Sequence, residues 1–528
     1  MSDRGRIRAG IDAGKQALRE RAEQVAPVFD ATPTLPAPTK LCIGMATYDD
    51  FDGVWFTIAS ILMYHPEVVP DLSFIVIDNH PTGEVSRALK ELENKFPRYR
   101  YVPFRSYTGT AVRDLVFREA QAEVVCCVDS HVLIRPGGLA TLLRYFEARP
   151  DSRDLVQGPM LSPDMTSVYG THWDPIWGAG MLGKWGNNHE ADSFSEEPYD
   201  IPSQGLGLFA CRKAAWPGFH PLMRQFGGEE GYLHEKMRRL GGRTVGLPAL
   251  AWGHRFERPR GIAYPHLRMS FVRNYELGWA ELGIDPEPGR RHYREELNAA
   301  PAMLAEAQNA VTHPLAVFDA VMAINMDAEH QRWASLTHRM NVLGIDWRLE
   351  RIPAVPTPDN HHIGCALSWR AAIVEAKRRG LASVLVLEDD VVFRTDALEH
   401  LEGAVAELAG REWDLVYLGM QSNRGCREPL PDAQHLVSIT RAMGNHAVVV
   451  SARVFDAILA GIPPTVAEAT AWVAQNHAVG HWFGMQAQQG LWKAFCVAPD
   501  VALQEVTLKG YPEDVFEPER FPLVPAHG

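Results

Sequence analysis

The chain has 528 residues, enough for two to four domains at roughly 150 residues each. It is 46% hydrophobic and 22% charged, an ordinary balance for a folded chain with a core in each domain. The net charge of −13 disfavours nucleic acid or an anionic membrane surface as a partner of the whole molecule. Residues 1–39 carry Ile7, Ile11, Leu18 and Val25 at helical spacing and then a Pro-rich run. They predict an N-terminal helix and a linker, without the apolar centre of a secretion signal. No apolar run reaches the ~20 residues of a bilayer span. The seven cysteines are scattered and odd in number, which fits a reducing compartment better than a disulfide framework. The expectation is a cytoplasmic protein, at most peripheral to a membrane.

From residue 40 the pattern alternates. Strands are predicted at 41–46, 72–77, 101–104 and just before Asp129, with helices near 84–95 and 111–120. Such alternation predicts a mostly parallel, doubly wound α/β sheet. Ligands of such sheets bind beyond the carboxyl ends of the strands. The stretch 161–204, rich in Gly, Trp, Asn and acids, reads as long functional loops. A second series begins with a strand at 317–324, then a helix at 331–343, a strand at 347–352, a helix at 366–379 and a strand at 384–387. The boundaries expected are 40–285 for the first domain, 286–314 for a linker, 315–510 for the second domain and 511–528 for a tail.

Several strand ends carry chemistry. Asp129 and His131 are two apart after a buried strand, so an extended backbone projects both to one side. Carboxylate with imidazole suits Mn²⁺ better than Ca²⁺, while capping of the strand end is the structural alternative. Thr47-Tyr48-Asp49 offers a nucleotide an aromatic face and polar groups. Asp78-Asn79 offers a carboxylate to a base N–H. His254 is a third candidate ligand. In the second series Glu388, Asp389 and Asp390 follow an apolar strand, an arrangement suited to a metal and a diphosphate or to a solvated strand end with a helix cap.

These motifs resemble those of known families. Asp129-Ser130-His131, Gly227-Gly228-Glu229 and Gly253-His254-Arg255-Phe256 resemble motifs of GT-A glycosyltransferases, namely family 2 and the polypeptide N-acetylgalactosaminyltransferases. The resemblance runs from about Lys40 to Phe271. It implies that Asp129, His131 and His254 hold the metal and that Arg113 faces the donor. Thr47, Tyr48 and Asp78 would bind the nucleotide. Glu230 stands in the place of the family-2 base, with Glu229 beside it; a helix N-terminus favours acids in any case. The QxxRW signature is absent, which argues against a processive synthase.

The second series resembles glycosyltransferase family 25, which includes lipooligosaccharide and collagen galactosyltransferases. The resemblance rests on Ala323-Ile324-Asn325-Met326-Asp327, Arg332, Ile363-Gly364-Cys365-Ala366-Leu367-Ser368-Trp369-Arg370 and Leu387-Glu388-Asp389-Asp390. It implies donor binding by Asn325, Asp327, Gly364 and Ser368 and metal binding by Glu388, Asp389 and Asp390. Trp369 replaces a His of that family, and His481 stands where an acid is expected.

The fold expected is α/β, with two GT-A-like, Rossmann-like nucleotide-sugar-binding domains in tandem. The function expected is a bifunctional, metal-dependent glycosyltransferase. It would use a divalent metal, Mn²⁺ first, and a UDP-sugar donor, with a glycan, lipid-linked saccharide or peptide as acceptor. One alternative is a single active module beside a binding or scaffolding module. Another is a metal-dependent nucleotidyltransferase or phosphohydrolase. Trp173, Trp177 and Trp185 would stack on sugars, close as a lid or pack in a core.

Overall fold

The structure, a computed structural model, describes residues 38–255, 268–420 and 427–504. The expected N-terminal helix and C-terminal tail lie outside the described residues. The chain divides into two compact units between Val311 and Thr312, and each is an α/β module.

In the first module β1 (Thr39–Thr47), β2 (Leu72–Asp78), β3 (Tyr99–Pro103) and β4 (Ala122–Val128) run parallel in the order β3-β2-β1-β4. Their residues are apolar on both faces. Leu41, Ile43 and Met45 of β1 enter one core, and Cys42 enters the other. Burial on both faces is the condition of a parallel strand and explains the near-continuous apolar runs. The short ribbon strand β5 (Val132–Ile134) follows β4 directly. The main sheet continues past β4 through β7 (Leu208–Arg212), β6 (Leu155–Gln157), β8 (Thr244–Gly246) and a two-residue edge strand, Tyr199–Asp200. β7 is antiparallel to β4 and pairs Leu208 with Val128. β9 (Trp252–His254) pairs antiparallel with β5, Val132 opposite His254.

The second module repeats this plan. β10 (Ala320–Asn325), β11 (Leu349–Pro353) and β12 (Ser383–Glu388) are parallel. β16 (Ala447–Ser451) is antiparallel to β12, as β7 is to β4. β14 (Leu415–Tyr417), β17 (Ala494–Val497) and β15 (Leu436–Ile439) complete the wide side of the sheet. β13 (Val391–Phe393) pairs antiparallel with β18 (Ala502–Gln504), Val391 opposite Gln504.

The helices that matter to function are α1 (Phe51–Tyr64), α2 (Arg113–Glu119), α3 (Glu229–Arg239) and α4 (Arg268–Leu282) in the first module. In the second they are α5 (His330–Val342) and α6 (His361–Arg379). α2 lies so close to β1 that a Cβ on Gly44 would come within 1.9 Å of Val116 Cγ1.

Two expectations differ from the structure. The segment expected as a linker, 286–314, contains the helices Glu287–Arg291 and Pro301–Thr312. It is tied to the first module by the Arg290–Glu276 pair at 2.7 Å and by Tyr293 and Leu304 in the core. Pro286, Pro288 and Pro301 punctuate it, and they make a packed segment read as a join. The stretch expected as long loops, 161–204, contains the hairpin His172–Gly178 and Met181–Gly186. Its glycines make room for rings: a Cβ on Gly170 would lie 2.2 Å from Trp185, and one on Gly183 would lie 2.2 Å from Trp173. Trp173 and Trp185 meet edge to face at 5.8 Å, and Trp177 packs on Tyr275 and His292. The tryptophans are thus packing residues of the hairpin.

A buried ion pair in the second module gives a test of its integrity. Glu350 on β11 and Arg379 at the end of α6 are 1% and 4% exposed, and each takes the other as a two-point partner. Removing one member leaves a buried charge without its partner, at a cost of about 3–5 kcal/mol. Glu350→Ala should lower the stability of the second module to urea by that amount and leave the transition of the first module in place.

Candidate functional site

β4 ends at Val128, and the next three residues form the centre of the first site. The Asp129 backbone N–H donates to Gly207 O at 2.9 Å, which continues the β4–β7 ladder and fixes where Asp129 leaves the sheet. His131 leads into β5, and the β5–β9 pairing brings His254 over from 125 residues further along the chain than Asp129. His254 Nε2 lies 3.3 Å from Asp129 Oδ2 and 3.0 Å from His131 Nε2. The two imidazoles stand perpendicular, centroids 4.4 Å apart. Ligand atoms of Asp129, His131 and His254 lie within 4.8 Å of one another, the only such set of three His, Cys, Asp or Glu residues among the described residues.

Asp129 and His131 line a cleft formed by the ends of β1, β2 and β4 and by the segments Thr108–Thr110 and Gln225–Phe226, and His254 adjoins them. Thr47, Tyr48 and Asn79 line it, and Tyr48 stacks on His80 at 4.7 Å. Asp78 is fully buried and does not line it. One Asp78 oxygen accepts from the His80 N–H at 2.9 Å and the other from Tyr101 Oη at 2.7 Å. The neighbouring Asn79 faces the cleft in its place. Its amide donates to Tyr107 O, and its oxygen accepts from the Gly109 N–H.

Arg113 opens α2 at the cleft wall. Its guanidinium donates to Asp129 Oδ1 at 2.7 Å, and another nitrogen lies 3.6 Å from Glu229 Oε1. Burial alone would push the Asp129 carboxyl up. Arg113, His254 and His131 outweigh it and hold the group well below the usual carboxylate range. Glu229 and Glu230 begin α3 because Gly227 and Gly228, at φ +93° and +86°, turn the chain just before it. Both glutamates are buried, and burial pushes both carboxyls up; Glu229 adds to the rise at Glu230. Neither lines the cleft, although Gln225 and Phe226 just before them do.

Asp50 was not singled out by the sequence. It follows Asp49, whose φ of +55° turns the chain from β1 into α1. Asp50 caps α1 by accepting from the Gly53 N–H at 3.0 Å. Its other oxygen accepts from Ser130 Oγ at 2.6 Å and lies 3.2 Å from His131 Nδ1. Burial would raise its carboxyl, but His131, Ser130 and Gly53 hold it down at about 2.

In the second module β12 delivers Glu388, Asp389 and Asp390, and they part. Asp389 accepts from Asn325 Nδ2 at 2.8 Å and faces Arg332 at 3.6 Å. Burial raises its carboxyl. Glu388 and Asp390 turn the other way, and both accept from Gln504 Nε2, at 3.3 and 3.0 Å. Gln504 stands opposite Val391 as His254 stands opposite Val132. Asn325 and Asp327 both accept from Arg351. Gly364 and Ser368, expected at the donor, instead hold α6 to the loop before it. A Cβ on Gly364 would lie 2.2 Å from Val355 O, and Ser368 Oγ accepts from the Val355 N–H and donates to Gly364 O. Trp369 is a fully buried core residue, and His481 lies 3.1 Å from Asn476 O through Nδ1.

Residues 42–194 match the model of the family described as Glycosyl transferase family 2. This match and the sheet topology identify a GT-A-type α/β glycosyltransferase domain in the first module. Over 104 residues the chain is 34% identical to the probable inactive glycosyltransferase 25 family member 3 of Bos taurus, covering 19% of this chain and 18% of that protein. Over 59 residues it is 42% identical to the inactive glycosyltransferase 25 family member 3 of Homo sapiens, covering 11% and 10%. The chain thus spans under a fifth of the length of these curated relatives. A structure of GalNAc-T7 with UDP, GalNAc and Mn²⁺ superposes with a TM-score of 0.38 at 16% identity, covering 51% of this chain and 54% of that one. The mannosyltransferase PcManGT from Pyrobaculum calidifontis, with GDP-Man and Mn²⁺, superposes at 0.34 and 14%, covering 58% and 84%.

Arg113 pairs with two acids of this site, Asp129 and Glu229, and its loss should be felt in folding. Arg113→Ala should destabilise the first module by about 3–5 kcal/mol, because Asp129 and Glu229 lose a buried counter-charge. Arg113→Lys should restore part of this, as a point charge without the planar fork. Urea unfolding followed by tryptophan fluorescence checks both.

Proposed function

We propose that the first module transfers a sugar from a nucleotide donor, UDP-linked, to a hydroxyl of a glycan, a lipid-linked saccharide or a peptide. The observation that carries this reading is the convergence of Asp129, His131 and His254 beside a cleft built from strand ends. One carboxylate and two imidazoles suit a divalent transition ion, Mn²⁺ among them. Bound there, such an ion supplies positive charge against that which develops on the departing diphosphate. The chain's own residues do the rest. Thr47, Tyr48 and Asn79 receive the nucleoside. Arg113 keeps Asp129 ionised and brings a fixed positive charge to the cleft wall. Glu230, buried behind Gln225 and Phe226 of the cleft wall, is the base for the attacking hydroxyl once that wall admits the acceptor.

Mn²⁺ titration with release of UDP as the signal tests the reading. Asp129→Asn and His254→Ala should each lose metal binding and turnover together. Glu230→Gln should lower turnover by roughly 10²–10⁴ with donor affinity retained. Because burial raises the Glu230 carboxyl, its basic form accumulates only above the ordinary carboxylate range. Turnover should therefore rise with pH along an acid limb that Glu230→Gln abolishes. The same raised value means that stability falls as pH rises towards it from the ordinary carboxylate range. Near-normal turnover of Glu230→Gln would move the role to Glu229 or to a route without this base.

For the second module we propose a second donor site, centred on Glu388 and Asp390, which makes the chain bifunctional. Gln504 favours a second reading, a module that binds without transferring, since an amide is a poorer ligand for a transition ion than the imidazole of His254. Asp390→Asn separates the two. Loss of one transfer activity, with the activity lost in Asp129→Asn intact, supports bifunctionality. No change in any transfer activity supports the binding role.

A further inference from the structure

Asp50 is a carboxylate held against the ring of a proposed metal ligand, and it stands outside the ligand trio. A carboxylate can only accept a hydrogen bond. Its Oδ2 lies 3.2 Å from His131 Nδ1; Ser130 Oγ, 3.4 Å from the same nitrogen, gives its proton to Asp50 at 2.6 Å, so a hydrogen bond between Asp50 and the ring places the His131 proton on Nδ1. That leaves the lone pair on Nε2, the nitrogen that faces His254 at 3.0 Å. Ser130 Oγ donates to the same oxygen at 2.6 Å, and Asp50 Oδ1 is fixed by the Gly53 N–H at 3.0 Å. A Cβ on Gly53 would stand 2.1 Å from Ser130 O, so the first turn of α1 sits directly against the strand end. Asp50 is thus anchored on one side by the helix it caps and on the other by the ligand segment.

We infer that Asp50 is a positioning residue that sets the tautomer of His131 and aims its Nε2 at the cation. The inference rests on the reading of Asp129, His131 and His254 as a metal site. Carboxylate partners of ligating histidines raise ligand basicity and fix ring orientation, and their loss costs 10–100-fold in metal affinity.

Asp50→Asn discriminates sharply, because Asn is as good a helix cap as Asp. With the amide oxygen of the new side chain retained by the Gly53 N–H, its amide nitrogen faces His131. That nitrogen can only donate, so it drives the His131 proton onto Nε2 and blocks the ligand atom. In the full chain, Mn²⁺ affinity measured by EPR should fall 10–100-fold in Asp50→Asn, with the unfolding midpoint of the first module unchanged. Ser130→Ala, which leaves the contact between Asp50 and His131, should bind Mn²⁺ close to wild type. The nitrogen chemical shifts of His131, assigned through His131→Gln, should report Nδ1–H in the metal-free wild type and Nε2–H in Asp50→Asn.

Wild-type Mn²⁺ affinity in Asp50→Asn, with binding lost in Asp129→Asn, overturns the role of Asp50 and leaves the metal site standing. Unchanged binding in both variants overturns the metal site itself. If Asp50→Asn fails to fold, the wild-type spectrum still decides, since an Nε2–H tautomer there refutes the inference.

Discussion

The pairing of Val132 with His254 is the constraint on which the first site depends. Asp129 and His131 come with β4, but His254 reaches them only because β9 lies antiparallel on β5 in one register. Strand side chains alternate, so a slip of one residue would turn His254 to the opposite face. Trp252, two residues earlier, enters the core and donates from Nε1 to Gly158 O at 2.9 Å, and this pins the register. The second module uses the same ribbon, with Val391 opposite Gln504. The two modules thus share a backbone device and differ in the side chain that it delivers.

Charge is arranged around this device with little redundancy. Arg113 stands between Asp129 and Glu229, so one guanidinium serves the candidate ligand and the buried acids behind it. Where it touches most closely, at Asp129, the carboxyl is held down; further back, burial prevails and Glu229 and Glu230 are raised. The split follows from distance. A 2.7 Å hydrogen bond to a cation, with two imidazoles beside it, outweighs desolvation, and a 3.6 Å approach does not. The acids of one site are thereby shifted in opposite directions around a single cation.

Much of the fold was legible in the sequence, because buried parallel strands announce themselves as apolar runs. β1, β2, β4, β10 and β12 were all visible in this way, and Asp78, Asp129 and Glu388 mark the ends of three of them. The antiparallel partners were harder to see. β9 and β18 are three residues long, too short for any period, and their partners lie far off in the chain. His254 could be named by its motif, but Gln504 had no local signal. Asp50 was hidden in an acidic pair, and its clue was its place before an apolar helix with Gly53 following. Gly364 and Ser368 were read as ligand contacts because a motif gives no direction to a side chain. The structure uses both to close α6 against Val355.

Gly44 carries no functional group and sits in mid-strand, yet Arg113 depends on it. With Val116 resting where a Cβ would be, α2 lies against β1, and the start of α2 meets the end of β4. A larger residue at this point would have to displace Val116 or Ile75, and any shift of α2 that followed would carry the guanidinium away from Asp129. In mutational terms the position behaves like a member of the site. A hydrogen atom there matters as much as a ligand, and a drift of sequence that leaves the acids and histidines untouched can still disable them from beneath.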